Sequence, residues 1–438
     1  MPRLRKFGLW LLLGTLASGW WFIPITLAQD SSRSQWYKGN LHTHSLWSDG
    51  DDFPEMIGDW YRQHDYHFLA LTDHNVLGTE VRWMKQSEIV RRGGPEVLNK
   101  YVAKFGRQWV QERGEPGTEQ HEVALRPLVE FRSQLEQDGR FLLIPGEEIS
   151  DAVGRLPIHL NATNVTEVLA PARGETVREA IANNVRAVAE QARSSGRQIL
   201  VHLNHPNFGW AITPEDLAFV AEERFFEIYN GHPAVNQEGD ELRPGLELFW
   251  DIANTLRIDR FASPPLFGLG TDDSHNYHGI RGATPGRGWI VVRAEKLEAE
   301  QLLTAIHSGD FYASSGVVLR DVRFDRESNE LKLEIEPQPG VEFTTQFVGT
   351  PVDYDRTWPA ATDAEGRTLS VKERYCPKIG TVFKSEGGPS PSYRLSGNEL
   401  YVRAIVTSTR PHPNPSLANQ FEQAWTQPVG WERRLDPR

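Results

Sequence analysis

The chain has 438 residues, a formal net charge of −12 and a hydrophobic fraction of 39%. These values are typical of a soluble globular protein with two or three domains, and they argue against a disordered or fibrous chain. Lysine and arginine form no basic block beyond the extreme N-terminus, so we expect no long nucleic acid as a partner.

The first 28 residues have the pattern of an export signal. Basic side chains precede the apolar run of residues 9–16, and small residues at 26–28 provide a cleavage site. Residues 7–28 are also nearly long enough for an uncleaved membrane anchor, which is the alternative. In both cases the body of the protein is expected outside the cytoplasm, in the periplasm or the extracellular space. Cys376 is the only cysteine, so no intrachain disulfide can form.

Residues 36–316 alternate short apolar runs with helical patterns, which predicts an α/β domain of parallel strands joined by helical crossovers. Continuous apolar runs are expected for strands that are covered on both faces. Such runs predict strands at residues 67–73, 140–149, 198–205, 225–230, 266–272 and 288–293. Helical spacing predicts a helix from residue 177, with a capping box at Thr176 and Glu179 and a stop at Gly196.

Two further segments have a different pattern of apolar and charged residues. Residues 76–138 are rich in charge and helix formers and show no strand pattern, so we predict a helical insertion over the mouth of the domain. This insertion is either a solvated excursion or a substrate cap. Residues 317–438 alternate apolar and polar residues between turn clusters, which predicts a small C-terminal antiparallel β domain with a structural or docking role.

Residues of the metal-ligand type follow the predicted strands. His42 and His44 are two apart in an extended segment, so both side chains can reach one ion, and Asp49 beyond the next turn can serve a neighbouring ion. The other acids and histidines at strand ends are Asp73, His74, Glu147, Glu148, His202, His205, His232, Asp272, Asp273 and His275. Binding sites of α/β barrels assemble at this rim, whereas scattered surface histidines would not follow strand ends.

Mixed imidazole and carboxylate ligands suit borderline divalent cations, and a carboxylate can bridge two of them. A bound cation lowers the pKa of water toward about 7, so hydroxide is available near neutral pH without a serine or cysteine nucleophile. We expect Asp73, Asn75, His202 and Asn204 to orient the ligands. Hydrogen bonding at the strand ends is the alternative role for these four residues.

The order H-x-H-(x4)-D, T-D-H, G-x-E, N-H-P and D-x-H resembles the PHP superfamily, named for polymerase and histidinol phosphatase. The resemblance covers about residues 36–315, including the late segment FYASSGV at 311–317, which is similar to the usual end of the barrel in that family. It implies a distorted (β/α)7, TIM-like barrel that holds two or three divalent metal ions, namely Zn, Mn or Fe. The motifs select Glu148 over its neighbour Glu147, and Asp273 over Asp272.

The resemblance also implies which residues bind each ion. The first ion would be held by His42, His44, Glu148 and Asp273. Glu148 would bridge to a second ion, whose other ligands are His205 and His232. A third ion would be held by Asp49, His74 and His275. All of these except His232 are implied as catalytic residues. Candidates for substrate contact are His159, His202, Asn204, Asn230 and Arg281. Arg281 could clamp a phosphate oxygen, and a surface ion pair is the alternative.

Three functions are compatible with these residues. The leading hypothesis is an exported metal-dependent phosphoesterase that acts on small phosphomonoesters or on the 5′ ends of nucleotides and oligonucleotides. The second is a hydrolase of carboxylic esters or carbamates similar to carbaryl hydrolase, because hydroxide can also attack a carbonyl carbon. The third is a non-catalytic, metal-containing binding protein. The oligomeric state stays open.

Overall fold

The computed structural model describes residues 34–279, 282–359, 362, 366 and 369–435. The predicted export signal or anchor lies outside the described residues, and so does Arg281. Within the described part of the chain, no helix is both long and apolar enough to cross a membrane.

Strands dominate the described residues. They are β1 (Gln35–Asn40), β2 (Phe68–Leu71), β3 (Arg82–Lys85), β4 (Glu112–Arg113), β5 (Glu122–Leu125), β6 (Leu142–Val153), β7 (Leu156–Thr163), β8 (Leu200–Leu203), β9 (Phe225–Asn230), β10 (Phe267–Thr271), β11 (Trp289–Ala294), β12 (Phe311–Ser314), β13 (Leu319–Asp325), β14 (Glu330–Ile335), β15 (Phe343–Pro351), β16 (Thr381–Gly387), β17 (Ser392–Arg394), β18 (Glu399–Pro411) and β19 (Phe421–Thr426). Each of the six predicted strands overlaps one of these, whereas β7 was not among the predictions.

Helices connect many of the strands. They are α1 (Pro54–Gln63), α2 (Gln86–Gly93), α3 (Val97–Phe105), α4 (Leu128–Leu135), α5 (Val177–Ser195), α6 (Pro214–Phe219), α7 (Leu246–Asp259), α8 (Ala299–His307) and α9 (Glu432–Leu435). The helix predicted from residue 177 is α5. The Thr176 side chain accepts a hydrogen bond from the Glu179 amide at its start, and Gly196 follows its end in a left-handed conformation, as the sequence predicts.

The main sheet contains thirteen of the described strands, in the order β10-β9-β8-β7-β6-β2-β1-β11-β12-β19-β18-β15-β16. The pairs β1–β2, β2–β6, β8–β9 and β9–β10 are parallel. Strand β7 pairs antiparallel with both β6 and β8, forming a hairpin with β6 and reaching β8 through α5. The protein is therefore a mixed α/β protein with a large central sheet.

The sheet curls so that its first strand approaches its middle. An isolated parallel bridge joins Thr43 to Ser274, which places the exit of β10 beside the exit of β1. The Gln427 side-chain amide accepts a hydrogen bond from Gly268 N and donates one to Gly268 O, at 2.8 and 2.9 Å. Gln427 thus takes the position of a strand neighbour for β10.

The predicted closed (β/α)7, TIM-like barrel is not confirmed. Among the described residues no continuous ladder joins β10 to β11 or β12, so the sheet is curled but open. The edge of β12 pairs instead with β19, and the main sheet continues from there into β18, β15 and β16. Sequence patterns identify strands, but they do not encode which edges pair across long chain separations.

Residues 76–138 contain helices α2, α3 and α4, and they also contain a three-stranded antiparallel sheet of β3, β5 and β4. These strands are two to four residues long, too short to show an alternating pattern. The core of the insertion, which includes Ile89, Tyr101 and Val123, packs against Leu46 and Phe53 of the main fold. The insertion therefore covers the loop that follows β1.

The C-terminal strands are antiparallel, as predicted. Strand β19 pairs with β12, so four of the C-terminal strands extend the main sheet. Strands β13, β14 and β17 form a second sheet, and its core is shared with Val291 and Tyr312 of the main sheet. The predicted boundary at residues 316/317 thus runs through a shared core and not through a linker.

Candidate metal centre

Backbone hydrogen bonds continue beyond the strand ends and fix the segments that carry the ligand-type residues. The amide of Asp273 donates to His42 O at 3.0 Å, and the amide of His44 donates to Ser274 O at 2.9 Å. On the other side, Asn75 N donates to Glu148 O at 2.9 Å. The exits of β1, β2 and β10 and the middle of β6 are therefore held together at one rim.

At this rim, nine side chains form overlapping groups whose ligand-type atoms lie within 4.8 Å of one another. The groups are His42, His205 and Asp273; His42, His44 and Glu148; His74, Glu148 and His159; and His44, Asp49, His74 and His275. We call these nine residues the metal centre. The set contains every implied ligand except His232, and it adds His159.

Glu148 and Asp273 occupy the middle of the metal centre. Asp273 Oδ1 lies 3.2 Å from both His42 Nε2 and His44 Nε2. Glu148 Oε2 lies 3.4 Å from His44 Nε2, and its Oε1 lies 3.7 Å from His205 Nε2. Each carboxylate thus faces more than one imidazole, the arrangement that a bridging ligand requires.

Asp49 forms the outer side of the metal centre. Its Oδ1 lies 3.4 Å from His275 Nε2, and its Oδ2 lies 3.5 Å from His74 Nε2. The His44 ring stacks on the His275 ring, with centroids 4.0 Å apart. Because His44 belongs to both groups, it joins the outer set to the inner carboxylates.

The side chains of the metal centre fit divalent cations. His42 Nε2, His44 Nε2, Glu148 Oε2 and His159 Nδ1 are buried and make no well-directed hydrogen bond, although carboxylate oxygens lie 2.9–3.2 Å from the three nitrogens. Buried polar atoms without partners are rare, because each loses about 1–3 kcal/mol of solvation. Imidazole nitrogens and carboxylate oxygens in one cluster are the ligands that Zn, Mn and Fe prefer. Cations at these atoms would satisfy them.

Glu227 orients the floor of the metal centre from β9. Its Oε1 accepts hydrogen bonds from His42 Nδ1 at 2.7 Å and from Thr271 Oγ1 at 2.8 Å. Its Oε2 accepts from Asn230 Nδ2 and from the amide of His205. The bond from His42 Nδ1 leaves His42 Nε2 as the free nitrogen, which is how buried carboxylates fix metal-binding histidines.

Two buried amides orient the central carboxylates. Asn204 donates to Glu148 Oε1 at 2.8 Å, and Asn230 donates to Asp273 Oδ2 at 3.1 Å. Both amides were candidates for substrate contact, but they are almost fully buried. They therefore lie behind the carboxylates and position them.

No protein-family model matches the chain, and no curated protein matches it. Among solved structures, a two-domain protein from Bacteroides vulgatus that contains a predicted PHP-like metal-dependent phosphoesterase aligns with 91% of this chain and 96% of its own, at 15% identity and a TM-score of 0.38. A Bifidobacterium adolescentis protein described as a metal-dependent phosphoesterase aligns with 56% of this chain and 91% of its own, at 13% identity and a TM-score of 0.30.

An amidohydrolase from Chromobacterium violaceum, with bound sulfate, aligns with 36% of this chain and 39% of its own, at 19% identity and a TM-score of 0.16. The family named for the first structure is the one that the sequence motifs resemble. All three TM-scores are below 0.5.

In both pairs of adjacent acids, the structure separates the two members. Glu147 accepts a hydrogen bond from the Leu169 amide, outside the metal centre. Asp272 accepts from Tyr61 OH and from three backbone amides at residues 286–288. In β6, alternation along the strand sends Glu147 and Glu148 to opposite faces. Glu148 and Asp273 are therefore the members that face the metal centre.

The other predicted site residues lie around the metal centre. His232 belongs to none of the four groups; its Nδ1 accepts from the Ala234 amide, and its ring contacts the His275 ring. His202 was a candidate for substrate contact, but it is fully buried, with Nε2 3.6 Å from Glu227 Oε1. His159 Nδ1 lies 2.9 Å from Glu148 Oε1, so His159 is placed as a ligand-type residue.

Asp73 organises the turn that carries Asp49. Its carboxylate accepts hydrogen bonds from the amides and the hydroxyls of Ser45 and Ser48. This is the supporting role expected for Asp73 from its position after β2. Asn75 Oδ1 accepts from the Ser150 amide at 3.0 Å and so fixes the segment after His74.

Two residues of the metal centre have a left-handed backbone conformation. Asp273 has a φ of 48° and His205 a φ of 21°, both in the left-handed region that residues other than glycine seldom adopt. Such conformations cost about 1–3 kcal/mol each and persist where the surroundings hold them. Both side chains face the metal centre: His205 Nε2 lies 3.7 Å from Glu148 Oε1, and Asp273 Oδ1 lies 3.2 Å from His42 Nε2.

Charges shift the ligands of the metal centre in both directions. Despite their burial, nearby carboxylates raise the pKa of His42, His205 and His275, and that of His74 to about 10, so a cation would displace a proton from these imidazoles. Asp273 and His44 are shifted the other way. Burial alone would raise the pKa of Asp273, but His42 and His44 hold it well below its usual range. Burial and the neighbouring His275 lower the pKa of His44 to about 3. An anionic carboxylate beside a neutral imidazole is the state in which both bind a cation.

Proposed function

We propose that the protein is a metal-dependent hydrolase of phosphate esters, with divalent cations bound at the metal centre. The observation that supports this most directly is the convergence of nine ligand-type side chains from distant parts of the chain, four of whose buried polar atoms make no well-directed hydrogen bond. Cations bound there would supply positive charge to substrate oxygens and a nucleophile derived from water.

The residues in and around the metal centre would have different roles. Glu148 and Asp273, fixed by Asn204 and Asn230, would hold the inner cations together with the imidazoles. Glu227 keeps the proton of His42 on Nδ1 and so directs Nε2 to the cations. Asp49, which is half exposed, closes the outer group at the entrance.

Charge favours an anionic substrate when the outer group is also occupied. Glu148, Asp273, Asp49 and Glu227 contribute four negative charges close together. Two divalent cations would neutralise these charges, and a third would leave an excess of positive charge. A phosphoryl group can balance that excess, whereas a neutral ester cannot.

The test compares substrates and variants of the full chain. We expect turnover of p-nitrophenyl phosphate or bis(p-nitrophenyl) phosphate that requires added divalent metal. The double variant His42→Ala/His44→Ala should lose bound metal in elemental analysis and at least about 100-fold in rate. His64→Ala, an exposed histidine stacked on Trp60, is the matched control and should behave as wild type. Full activity in the double variant would exclude the proposal.

A carboxylic ester or carbamate is the second candidate substrate. The half-buried ring of Phe208 packs against the His205 ring, with centroids 5.2 Å apart, and provides an apolar surface beside the metal centre. Such a surface suits an aryl group. Turnover of p-nitrophenyl acetate or an aryl N-methylcarbamate, without turnover of either phosphate, would replace the phosphoesterase proposal by this one. Metal binding without any turnover would favour a binding protein.

We also propose that the protein works outside the cytoplasm. The support is the pattern of residues 1–28, with basic, apolar and small residues in the order of an export signal. Cell fractionation followed by mass spectrometry of the N-terminus separates the alternatives. A chain that begins after Ala28 indicates cleavage, and an intact chain in the membrane fraction indicates an anchor.

A further inference from the structure

Asp49 depends on its backbone for its position. Its side chain is 56% exposed, and the nearby Ser48 hydroxyl, 3.3 Å away, donates its hydrogen to Asp73 at 2.6 Å instead. Asp73 holds the inner side of the loop of residues 45–50, which we call the Asp49 loop, through Ser45 and Ser48. The outer side of this loop faces the insertion.

Arg92, on α2 of the insertion, holds that outer side. Its Nη1 donates hydrogen bonds to Ser48 O, in the peptide group that precedes Asp49, and to Gly50 O, one peptide group beyond the carbonyl of Asp49 itself, the second bond being long at 3.4 Å. The Nε atom of Arg92 bonds Glu88 Oε1 at 2.9 Å, which orients the guanidinium from its own helix. A planar group with several fixed donors is well suited to bridging two carbonyls.

The end of α2 also contacts the segment that joins two ligands of the outer group. A Cβ atom at Gly93 would lie 2.3 Å from Asp51 O, so the helix approaches this backbone as closely as only glycine permits. The Asp51 amide donates to His275 O, and its carboxylate accepts from the Tyr277 amide. Helix α2 therefore contacts the loop of Asp49, and through Asp51 it is linked to the loop of His275.

We infer that Arg92 is a positioning residue for the outer cation, the one that His44, Asp49, His74 and His275 would hold; this inference rests on the proposed function. Arg92 holds the peptide group that precedes Asp49 and the carbonyl of the residue that follows it, and so restrains the backbone from which the Asp49 carboxylate projects. The insertion therefore positions a ligand of the metal centre in addition to covering the loop that follows β1. Loss of such supporting contacts lowers metal affinity by about 10- to 100-fold.

The experiment measures metal stoichiometry of the full chain after equilibrium dialysis against Mn²⁺ or Zn²⁺. Asp49→Ala identifies the outer cation as the equivalent that it removes. Arg92→Ala should weaken the same equivalent by about tenfold or more and leave the others unchanged. Arg91→Ala is the matched control, because Arg91 also pairs with Glu88 but is two-thirds exposed and lies on another face. It should bind metal as the wild type does.

Arg92→Lys keeps the charge but has a single nitrogen, so it cannot hold Glu88 and the loop carbonyls from separate nitrogens as the guanidinium does. It should show the same selective loss, and it also serves if Arg92→Ala does not fold. Unchanged affinity for every equivalent in Arg92→Lys, or equal weakening of all equivalents, would overturn the inference. So would the absence of any equivalent that Asp49→Ala removes. A selective loss in a protein that hydrolyses no phosphate ester would support the role of Arg92 while the proposed function fails.

Discussion

His42 Nδ1 donates a 2.7 Å hydrogen bond to Glu227 Oε1, between two side chains that are fully buried. The bond joins the end of β1 to the middle of β9, so one acid fixes both the orientation and the tautomer of a central imidazole. The same acid accepts hydrogen bonds from Thr271, Asn230 and the His205 amide. Glu227 is thus the point at which three strands of the main sheet support the metal centre.

The first prediction concerns this acid. Glu227→Gln places an amide NH₂ among four donors, so at least one hydrogen bond becomes a donor–donor contact. We expect metal affinity, measured by competition with a chelator, to fall by about 10- to 100-fold. Glu147→Gln is the control, because Glu147 is equally buried but lies outside the metal centre. Equal affinities for the two variants would contradict the role of Glu227.

The second prediction separates two neighbouring aspartates. Asp273→Asn should lower metal content, because Asp273 faces His42 and His44. Asp272→Asn should bind metal normally but lower the free energy of unfolding by about 2 kcal/mol, since Asp272 accepts four buried hydrogen bonds. Elemental analysis and urea denaturation of both variants check this. The opposite pattern would mean that the assignment within this pair is reversed.

The ligand-type residues were accessible from the sequence because they follow apolar runs that form buried strands. A continuous run such as residues 67–73 marks both the strand and its end, and the spacing in H-x-H places two imidazoles on one side. Glu227 was missed, although a single acid inside the apolar run FFEIYN is itself a signal. A buried carboxylate needs donors around it, so its presence in such a strand indicates a supporting partner.

Other features depend on pairing between distant segments. His159 lies on β7, an antiparallel strand that follows no βα pattern, so its approach to Glu148 is set by the hairpin with β6. The continuation of the main sheet from β12 into β19 likewise depends on which edge is free. Local patterns carry no information about these choices, because each is decided by packing of the whole chain.

The third prediction is a pH dependence of stability. Burial raises the pKa of Glu223 to about 8, against 4.5 for an exposed glutamate, although Arg257 and Arg224 lie nearby. Because the folded state holds this proton more tightly than the unfolded state, its contribution to stability is complete below pH 4.5. It is lost as the pH rises toward 8.

Glu223→Gln imitates the protonated carboxyl and should remove this dependence. We expect similar free energies of unfolding for variant and wild type at pH 5, and a variant more stable by a few kcal/mol at pH 8, roughly 1.4 kcal/mol for each pH unit of the window. Urea denaturation of both proteins at each pH cancels the titration of the metal centre. A constant difference across the range would show that Glu223 is ionised in the folded state.

The fourth prediction tests how firmly the C-terminal strands belong to the main fold. Asp251 on α7 pairs with Arg403 on β18 at 2.7 Å, and it also accepts a hydrogen bond from Tyr401 OH. Both charged groups are almost completely buried. Asp251→Ala should lower the free energy of unfolding by about 3–5 kcal/mol, because it leaves the Arg403 charge buried without a partner.

Adding Arg403→Met removes that orphaned charge, so the double variant should regain much of the lost stability. Glu336→Ala breaks the exposed pair with Arg320 and should leave the denaturation midpoint unchanged. Since α7 and β18 share one core, fluorescence and circular dichroism should report a single transition for every variant. An early, separate transition in Asp251→Ala would instead show that residues 317–438 unfold by themselves, as the predicted independent β domain would.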